Sequence, residues 1–236
     1  MRTFQDKTFE HFDDRNSRAS YSGLSFQKCF FRNCVFSVTT RPALRSRACN
    51  VEFIDCEQQS CSLWPAIVED VLIDGFKTHG QLFQTWGAVF KHVVLKGKID
   101  RLMISGAVLP SLLISKKDRQ AELAAFAKAN IAYYESVDWA LDISQGEFKE
   151  LEIRGIPGRL IRRDPETQIL VTRETAMRGE WRKLKFRTNV TSVCFNLFLD
   201  RQDTDMLFVA EKRNPHFRDD LADLQLLRKS GIAEPD

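Results

Sequence analysis

The sequence is poor in the residues from which common catalytic and metal centres are built. It holds four histidines, and its six cysteines include no C-x-x-C pair and no histidine at zinc-site spacing. No glycine-rich loop leads into a helix through Lys and Ser or Thr, and no serine is placed as in a nucleophile elbow. We therefore expect no bound metal or cofactor, no nucleotide-driven chemistry and no hydrolase triad.

Long apolar runs are missing as well. Residues 1–16 carry four carboxylates and no apolar core, so they do not predict an export signal. The uncharged apolar stretch 106–115 is too short to span a bilayer. These features predict a cytoplasmic protein that makes no membrane contact and keeps its cysteines reduced.

Tyrosine is scarce where phenylalanine is abundant, with 3 Tyr against 18 Phe. Rings without a hydroxyl are suited to positions that have no polar partner, so the bias indicates many buried rings. The 28% of charged residues and the net charge of +3 are typical of an ordinary globular protein, and they do not mark a nucleic-acid binder.

A five-residue period organises the chain near its start. Phe26, Phe31 and Phe36 are five residues apart, and Cys29 and Cys34 each stand two positions before a phenylalanine, as Leu24 does. This period fits neither a helix nor a simple strand. It fits a square coil in which each five-residue face points one large and one small side chain inward.

These residues resemble the pentapeptide-repeat proteins, whose units centre on Leu or Phe with a small residue two positions earlier. The resemblance covers about residues 24–63, where Cys56 and Cys61 repeat the spacing. It implies a short right-handed parallel β-helix with the cysteines as inward wedges. The Asn or Asp that the family has between the two inward positions is replaced here by Ser25, Phe30 and Val35.

A longer period extends the prediction. The positions Phe31, Phe53, Ile73, Leu95 and Ile114 follow one another at nearly even steps, each close to one coil of four faces. Short apolar segments closed by glycine recur at 71–75, 93–97 and 102–106. Residues 147–155 match 89–97, which predicts one further coil near Ile153. Stacked coils of this kind bury a continuous column.

One helix interrupts the β-helix. Residues 116–142 contain no Gly or Pro, and Leu123, Phe126, Tyr134 and Val137 fall on one side at helical spacing. We therefore predict a mainly β domain over 1–155 with a helical insertion at about 116–142.

The remaining residues, 156–236, predict an α+β element that either caps the β-helix or forms a separate module. Strands are predicted at 159–162, 168–172 and 206–210. A helix is predicted at 189–199, with Val193, Cys194, Leu197 and Phe198 on its buried face. A last helix should begin at the cap Asn214 and end at Gly231.

Basic residues supply the strongest candidate site. Eleven Lys or Arg oppose seven Asp or Glu between 145 and 192, and Trp181 and Phe186 lie among them as possible stacking platforms. A solvated mixed surface, an acidic protein partner and nucleic acid all fit this pattern. The candidate binding residues are Arg159, Arg162, Arg163, Arg182, Lys183, Lys185 and Arg187.

Catalytic alternatives rest on isolated residues. His79 could act with a nearby carboxylate, because histidine carries protons near neutral pH. Asp70, Asp74 and Asp100 could serve as paired acids in sugar cleavage, although coil corners or exposed strand positions explain Asp70 and Asp74 better.

The sequence as a whole predicts a non-enzymatic protein that presents a rigid β-helix surface to a protein partner. An immunity-type inhibitor of a bacterial toxin is one form of this by analogy. The alternative is a nucleic-acid-binding or nucleic-acid-processing protein that uses residues 159–187.

Overall fold

A computed structural model describes residues 1–109, 118–201 and 203–235. The protein is mainly β, with 42% strand and 25% helix, and a large parallel sheet curls into a half-barrel. The strands of this sheet are β1 (Arg2–Gln5), β2 (Thr8–Glu10), β3 (Asp13–Arg15), β4 (Ser20–Gln27), β5 (Phe30–Arg32), β6 (Val35–Val38), β7 (Arg47–Gln59), β8 (Ser62–Leu63), β9 (Ile67–Lys77), β10 (Phe83–Trp86), β11 (Val89–Ser105), β12 (Leu141–Asp142), β13 (Gly146–Arg154) and β14 (Ile161–Arg162).

The register shows which positions repeat from strand to strand. Phe26 pairs with Phe53, Phe53 with Ile73, and Ile73 with Leu95. The predicted steps from Phe53 to Ile73 and Leu95 are therefore confirmed. The predicted step from Phe31 to Phe53 is wrong, because a 3-10 turn at Pro42–Leu44 lengthens this connection. Ile114 lies outside the described residues.

Left-handed backbone conformations recur at five-residue intervals along the sheet. Asp6, His11 and Asn16 have φ between 51° and 56°, and Asp70, Gly75 and Gly80 have φ between 52° and 79°. Asn50, Asp55 and Ser60 repeat the spacing. A positive φ turns the chain sharply, so the five-residue period of the sequence corresponds to regular changes of strand direction.

Phenyl rings stack inside the sheet. Phe26 lies between Phe4 and Phe53, with ring centres 5.3 and 5.2 Å away and nearly parallel planes. Cys29 and Cys56 are fully buried beside this ladder, as expected for small inward residues. All six cysteines are free thiols.

Phe53→Ala should lower the free energy of unfolding by about 2–3 kcal/mol, because it opens a gap in the ladder that Phe26 cannot fill. The measurement is urea unfolding. Phe12→Ala is the control, since Phe12 is 42% exposed and should cost less than about 1 kcal/mol. Equal losses in the two variants would contradict a packed phenyl ladder.

The inserted helix is shorter than predicted. Helix α1 is Arg119–Tyr134, whereas the prediction extends from 116 to 142. Leu141–Asp142 instead forms β12, which pairs with β11 and β14. Leu141 is fully buried, so the chain returns to the sheet before the helical pattern of the sequence runs out. Lys116 lies outside the described residues.

Ile153 lies in a strand of the sheet, β13, as the predicted coil near it requires, but residues 147–154 pair with residues 98–105. Leu102 pairs with Leu151 and Ile104 with Ile153, so β13 lies parallel to the C-terminal half of β11. The sequence likeness of 147–155 to 89–97 therefore does not correspond to a pairing of the two segments. The two segments read alike because every face of such a sheet needs the same alternation of inward apolar residues.

The C-terminal part has its own elements. Strands β15 (Gln168–Thr172) and β16 (Asp205–Val209) pair antiparallel. The further helices are α2 (Arg173–Met177), α3 (Asn189–Asp200) and α4 (Phe217–Lys229). The predicted strand at 159–162 is reduced to β14, which follows a 3-10 turn at Gly158–Leu160. The last helix begins two residues after Pro215, and Asn214 accepts a hydrogen bond from the His216 N–H at 2.9 Å.

Most buried apolar residues fall into two large clusters, and a small third one joins Val108 to Phe126 of α1. The first fills the parallel sheet and continues to Ile161, past the predicted boundary at 155. The second lies among β15, β16 and the last three helices, and Trp181, Phe195 and Leu227 belong to it. No helix within the described ranges is long and apolar enough to cross a membrane.

Glu211 lies at the joint between the two parts. Its carboxylate accepts a hydrogen bond from the Leu151 N–H of β13 at 3.5 Å. Burial raises the pKa of Glu211 to about 7, and the charges of Asp220 and Glu150 add to this shift. A carboxyl that binds its proton more tightly when folded stabilises the fold fully below its unfolded pKa of about 4.3. That stability is lost as the pH rises through the folded pKa.

Glu211→Gln should remove this pH dependence, because the amide keeps the acceptor oxygen and never ionises. We expect the variant to gain about 3 kcal/mol in unfolding free energy, relative to the parent, between pH 4 and pH 8. Exposed Glu147→Gln is the control and should show no such gain. Parallel pH profiles for the parent and Glu211→Gln would contradict a raised pKa.

Candidate functional site

The structure separates the predicted basic residues into groups. Arg159 and Arg163 line one cavity, together with Ile161 between them. Arg162 lies on the other side of the same segment, where its guanidinium carbon is 4.1 Å from the centre of the Trp139 ring. The alternation of side chains along an extended segment explains why neighbouring arginines face opposite ways.

The other four predicted cations lie at the surface between α2 and α3. Lys183 contacts Glu180 at 2.7 Å, and Arg187 lies 3.6 Å from Asp219 of α4. Lys185 is exposed. The Arg182 guanidinium covers the Trp181 ring at 4.4 Å. The structure thus brings together Arg182, Lys183, Lys185 and Arg187 along one segment but not with Arg159, Arg162 and Arg163.

Trp181 is not available as a stacking platform. Its side chain is 4% exposed, and its ring stacks on Phe195 at 4.6 Å with planes 7° apart. The indole N–H donates to the Ala176 carbonyl at 3.0 Å. Phe186 is also packed against the second cluster. The aromatic part of the nucleic-acid prediction therefore fails, since both rings serve the core.

Helix α3 exposes aliphatic side chains instead. Val190, Val193 and Leu197 are 63%, 52% and 46% exposed, and we call these three residues the α3 stripe. Their spacing of three and four residues places them on one face of the helix. Met177 at the end of α2, which packs against α3, is a further exposed apolar residue at 66%.

The predicted buried face of this helix is therefore confirmed at Phe198 and at Cys194, which packs against the second cluster, but it is wrong at Val193 and Leu197. The sequence pattern places Val193 and Leu197 in the core, but the buried residues of α3 are Thr191, Phe195 and Phe198. Sequence reasoning misses the stripe, although a signal is present. Residues 189–200 are apolar on more than one face, and a helix of that kind has a second apolar surface to cover.

Buried polar contacts fix the start of α3. Asp223 of α4 is 1% exposed, and its carboxylate accepts hydrogen bonds from the N–H groups of Arg187 and Thr188 at 2.7 and 3.1 Å. The hydroxyls of Thr188 and Thr191 also donate to it, each at 3.1 Å. The carboxylate thereby satisfies the donors of the two residues that lead into the helix and the hydroxyl of Thr191 in its first turn.

The other end of α3 is held by Arg173. Its guanidinium donates to the carbonyl oxygens of Leu199 and Arg201 at 2.9 and 2.7 Å, and to that of Phe198 at 3.3 Å. A cation at this place also complements the negative end of the helix. The α3 stripe is therefore carried on a helix that is anchored at both ends.

A basic segment leads directly into this helix. Residues 178–187, RGEWRKLKFR, contain five basic residues and one acidic residue. The side chains of Lys183 and Arg187 are 74% and 67% exposed. The α3 stripe thus adjoins a strongly positive border.

The histidine alternatives lie elsewhere. His79 is 2.9 Å from Glu57, whose pKa is lowered chiefly by the hydrogen bond from Lys77. His92 lies between Asp70 and Asp138, at 3.0 and 2.7 Å. The first pair does contain the carboxylate expected near His79, but both sites are at the surface.

The thiol that approaches Asp70 is poorly suited to catalysis. Cys49 Sγ is 3.9 Å from the Asp70 carboxylate. Burial raises the pKa of the Cys49 thiol and the Asp70 charge raises it further, which is the reverse of what a nucleophile needs.

The proposed sugar-cleaving acids are also dispersed in ion pairs. Asp74 contacts Lys96 at 3.2 Å, and Asp100 contacts Arg213 at 2.9 Å. Among the described residues no group of three or more His, Cys, Asp or Glu side chains could hold a metal ion.

The most distinctive surface of the described chain is therefore an anchored helix with an apolar stripe and a basic border. Comparisons of this chain with models of protein families, with curated proteins and with solved structures find no match.

Proposed function

We propose that this protein is a non-enzymatic binding protein and that its partner is a protein that packs on the α3 stripe. The observation that carries the proposal is the exposure of Val190, Val193 and Leu197 on one face of a helix held at both ends. Aliphatic groups in water gain about 25 cal/mol for each Å² that a partner covers.

Anchoring strengthens this argument. A surface that is already ordered loses little conformational entropy when a partner binds, so more of the contact energy appears as affinity. Asp223 and Arg173 provide that order without occupying the exposed face. The stripe is therefore preorganised for binding.

Charge specifies the kind of partner. The segment 178–187 places cations next to the stripe, and exposed pairs such as Lys183 with Glu180 leave the positive excess in place. A protein surface with an apolar centre and an acidic border is complementary to it in both respects. An immunity-type inhibitor bound to a toxin would have such an interface.

A proposal about the fold accompanies the proposed function, because a β-helix would be a rigid scaffold for the binding surface. We infer that the curled parallel sheet is a short right-handed β-helix related to pentapeptide-repeat folds, with the C-terminal part as its α+β cap. The nearly even steps from Phe53 through Ile73 to Leu95 and the left-handed residues at five-residue intervals favour it. Free thiols agree with a reducing compartment, so a cytoplasmic location belongs to the same proposal.

The experiment is site-specific photocrosslinking in native extract. A benzoylphenylalanine at Val193 should give a discrete protein adduct, whereas the same residue at Ile131 of α1 should not. Ile131 is the matched position because it is also an aliphatic residue on a helix and is 66% exposed. The purified partner should bind the parent chain, and more weakly as salt rises.

Three outcomes would overturn the proposal. They are equal adducts from both positions, no adduct from Val193, and a nucleic acid as the crosslinked species. The last would favour the alternative that uses residues 159–187, and affinity should then fall steeply with salt because phosphates are contacted.

A further inference from the structure

A cavity of about 450 Å³ lies beside the 3-10 turn at Gly158–Leu160, between it and strands β15 and β16. Pro157, Ile161 and Leu170 give it apolar walls. Cavities of this size commonly hold small molecules. The α3 stripe does not contribute to the walls, so a ligand bound here is independent of the proposed protein partner.

The positively charged residues of the cavity belong to one segment. Arg159 and Arg163 line it together with Ile161, which lies midway between them in the sequence. Arg162 faces the other way, onto Trp139. Two of the three arginines of this segment therefore line the cavity, Arg159 from the 3-10 turn and Arg163 from just after β14, and the third does not.

Two carboxylates also line the cavity, Asp205 of β16 and Glu234 after α4. The Asp205 carboxylate accepts hydrogen bonds from the Gly158 N–H at 3.0 Å and from the Thr204 hydroxyl at 3.3 Å. Glu234 accepts one from the Thr172 hydroxyl at 3.0 Å. Within the described part of the chain neither carboxylate forms an ion pair. Both can therefore accept hydrogen bonds from a cationic group of a ligand.

The cavity depends on a glycine for its shape. A Cβ atom on Gly158 would lie 2.3 Å from Leu170 Cδ1 and 3.1 Å from Asp205 Cγ. Only a residue without a side chain lets the arginine-bearing segment approach Asp205 this closely. The short approach places cations and carboxylates around one small space.

We infer that this cavity binds a small zwitterion of the amino-acid type. Its ammonium group binds Asp205 and Glu234, its carboxylate binds Arg159, and its apolar body lies against Ile161 and Leu170. A simple anion would face the two carboxylates, and a simple cation would face the guanidinium groups. A ligand with both charges satisfies both sides.

The test is a thermal-unfolding screen of the full chain with each of the twenty L-amino acids at about 10 mM, followed by calorimetry of those that stabilise it. At least one apolar amino acid should raise the melting temperature. Its N-acetyl derivative and its amide should each bind at least about tenfold more weakly, because each lacks one of the two charges. No stabilisation by any amino acid would overturn the inference, and so would a derivative that binds as well as the parent compound.

Variants locate the site. Arg159→Gln and Asp205→Asn should each weaken binding at least about tenfold, and the asparagine keeps an acceptor for the Gly158 N–H. Arg178→Gln is the control, since Arg178 is 63% exposed, pairs with Glu174 and lies outside the cavity. Unfolding without ligand confirms that each variant is folded. Unchanged binding in both cavity variants would overturn the assignment, whatever the fate of the protein-binding proposal.

Discussion

Replacing Asp223 by alanine should lower the free energy of unfolding by about 3–5 kcal/mol, because each buried donor left unpaired costs about 1–3 kcal/mol. The carboxylate is 1% exposed and accepts four hydrogen bonds from Arg187, Thr188 and Thr191. Its removal leaves two backbone N–H groups and two hydroxyls without that acceptor. Chemical denaturation followed by circular dichroism measures the loss.

Asp219→Ala is the matched control for this prediction. Asp219 lies one turn earlier on α4 and also approaches Arg187, but at 3.6 Å and with its side chain 49% exposed. An exposed pair of this kind contributes at most about 1 kcal/mol. If the Asp219 and Asp223 variants lose the same amount, Asp223 does not anchor the start of α3.

The second large effect is expected at Phe195. Phe195→Ala should cost about 3–5 kcal/mol, because the ring is fully buried between Trp181 and Phe208. The Trp181 fluorescence should also change, since its stacking partner is lost. Both effects would show that packing of Phe195 in the second cluster holds α3 on the rest of the C-terminal part.

Val193→Ala provides the comparison on the same helix. Val193 is 52% exposed, so truncating it should change stability by less than about 0.5 kcal/mol. A loss at Val193 as large as that at Phe195 would mean that the stripe is covered within the chain and would remove the basis for a docking surface.

Local patterns predict much of the sheet. The five-residue spacing of Phe26 and Phe31 corresponds to a chain that turns at five-residue intervals, and Cys29 and Cys56 are buried as small inward residues. The repeated segments at 71–75 and 93–97 do pair in register. These features follow from alternation and from backbone turns, which depend on neighbouring residues alone.

Features set by distant contacts are harder to predict. The end of α1 depends on the pairing of Leu141 with Val93, which lies on the other side of the helical insertion in the sequence. The 3-10 turn at Pro42–Leu44 shifts the register, so counting from Phe31 to Phe53 chooses the wrong partner. Nothing near either position in the sequence indicates these pairings.

The candidate site is predictable in part. Residues 159–187 do carry exposed cations, but the structure places Arg159 and Arg163 at a cavity, Arg162 on Trp139, and the other four on a separate segment before α3. The sequence does not show that Trp181 is buried, because its stacking partner Phe195 lies in a later element, the helix α3. The sequence pattern of α3 does not identify Phe195 as a buried residue. The exposed face of α3 can be assigned only once the tertiary contacts are known.

The affinity of the partner crosslinked at Val193 tests the docking surface most directly. The double variant Val193→Asp, Leu197→Asp should bind the purified partner at least about 100-fold more weakly than the parent in calorimetry, because it places charges in the centre of the interface. Ile131→Asp on α1 should bind like the parent. Equal affinities for the parent and the double variant, with the variant folded, would contradict the α3 stripe as the docking surface.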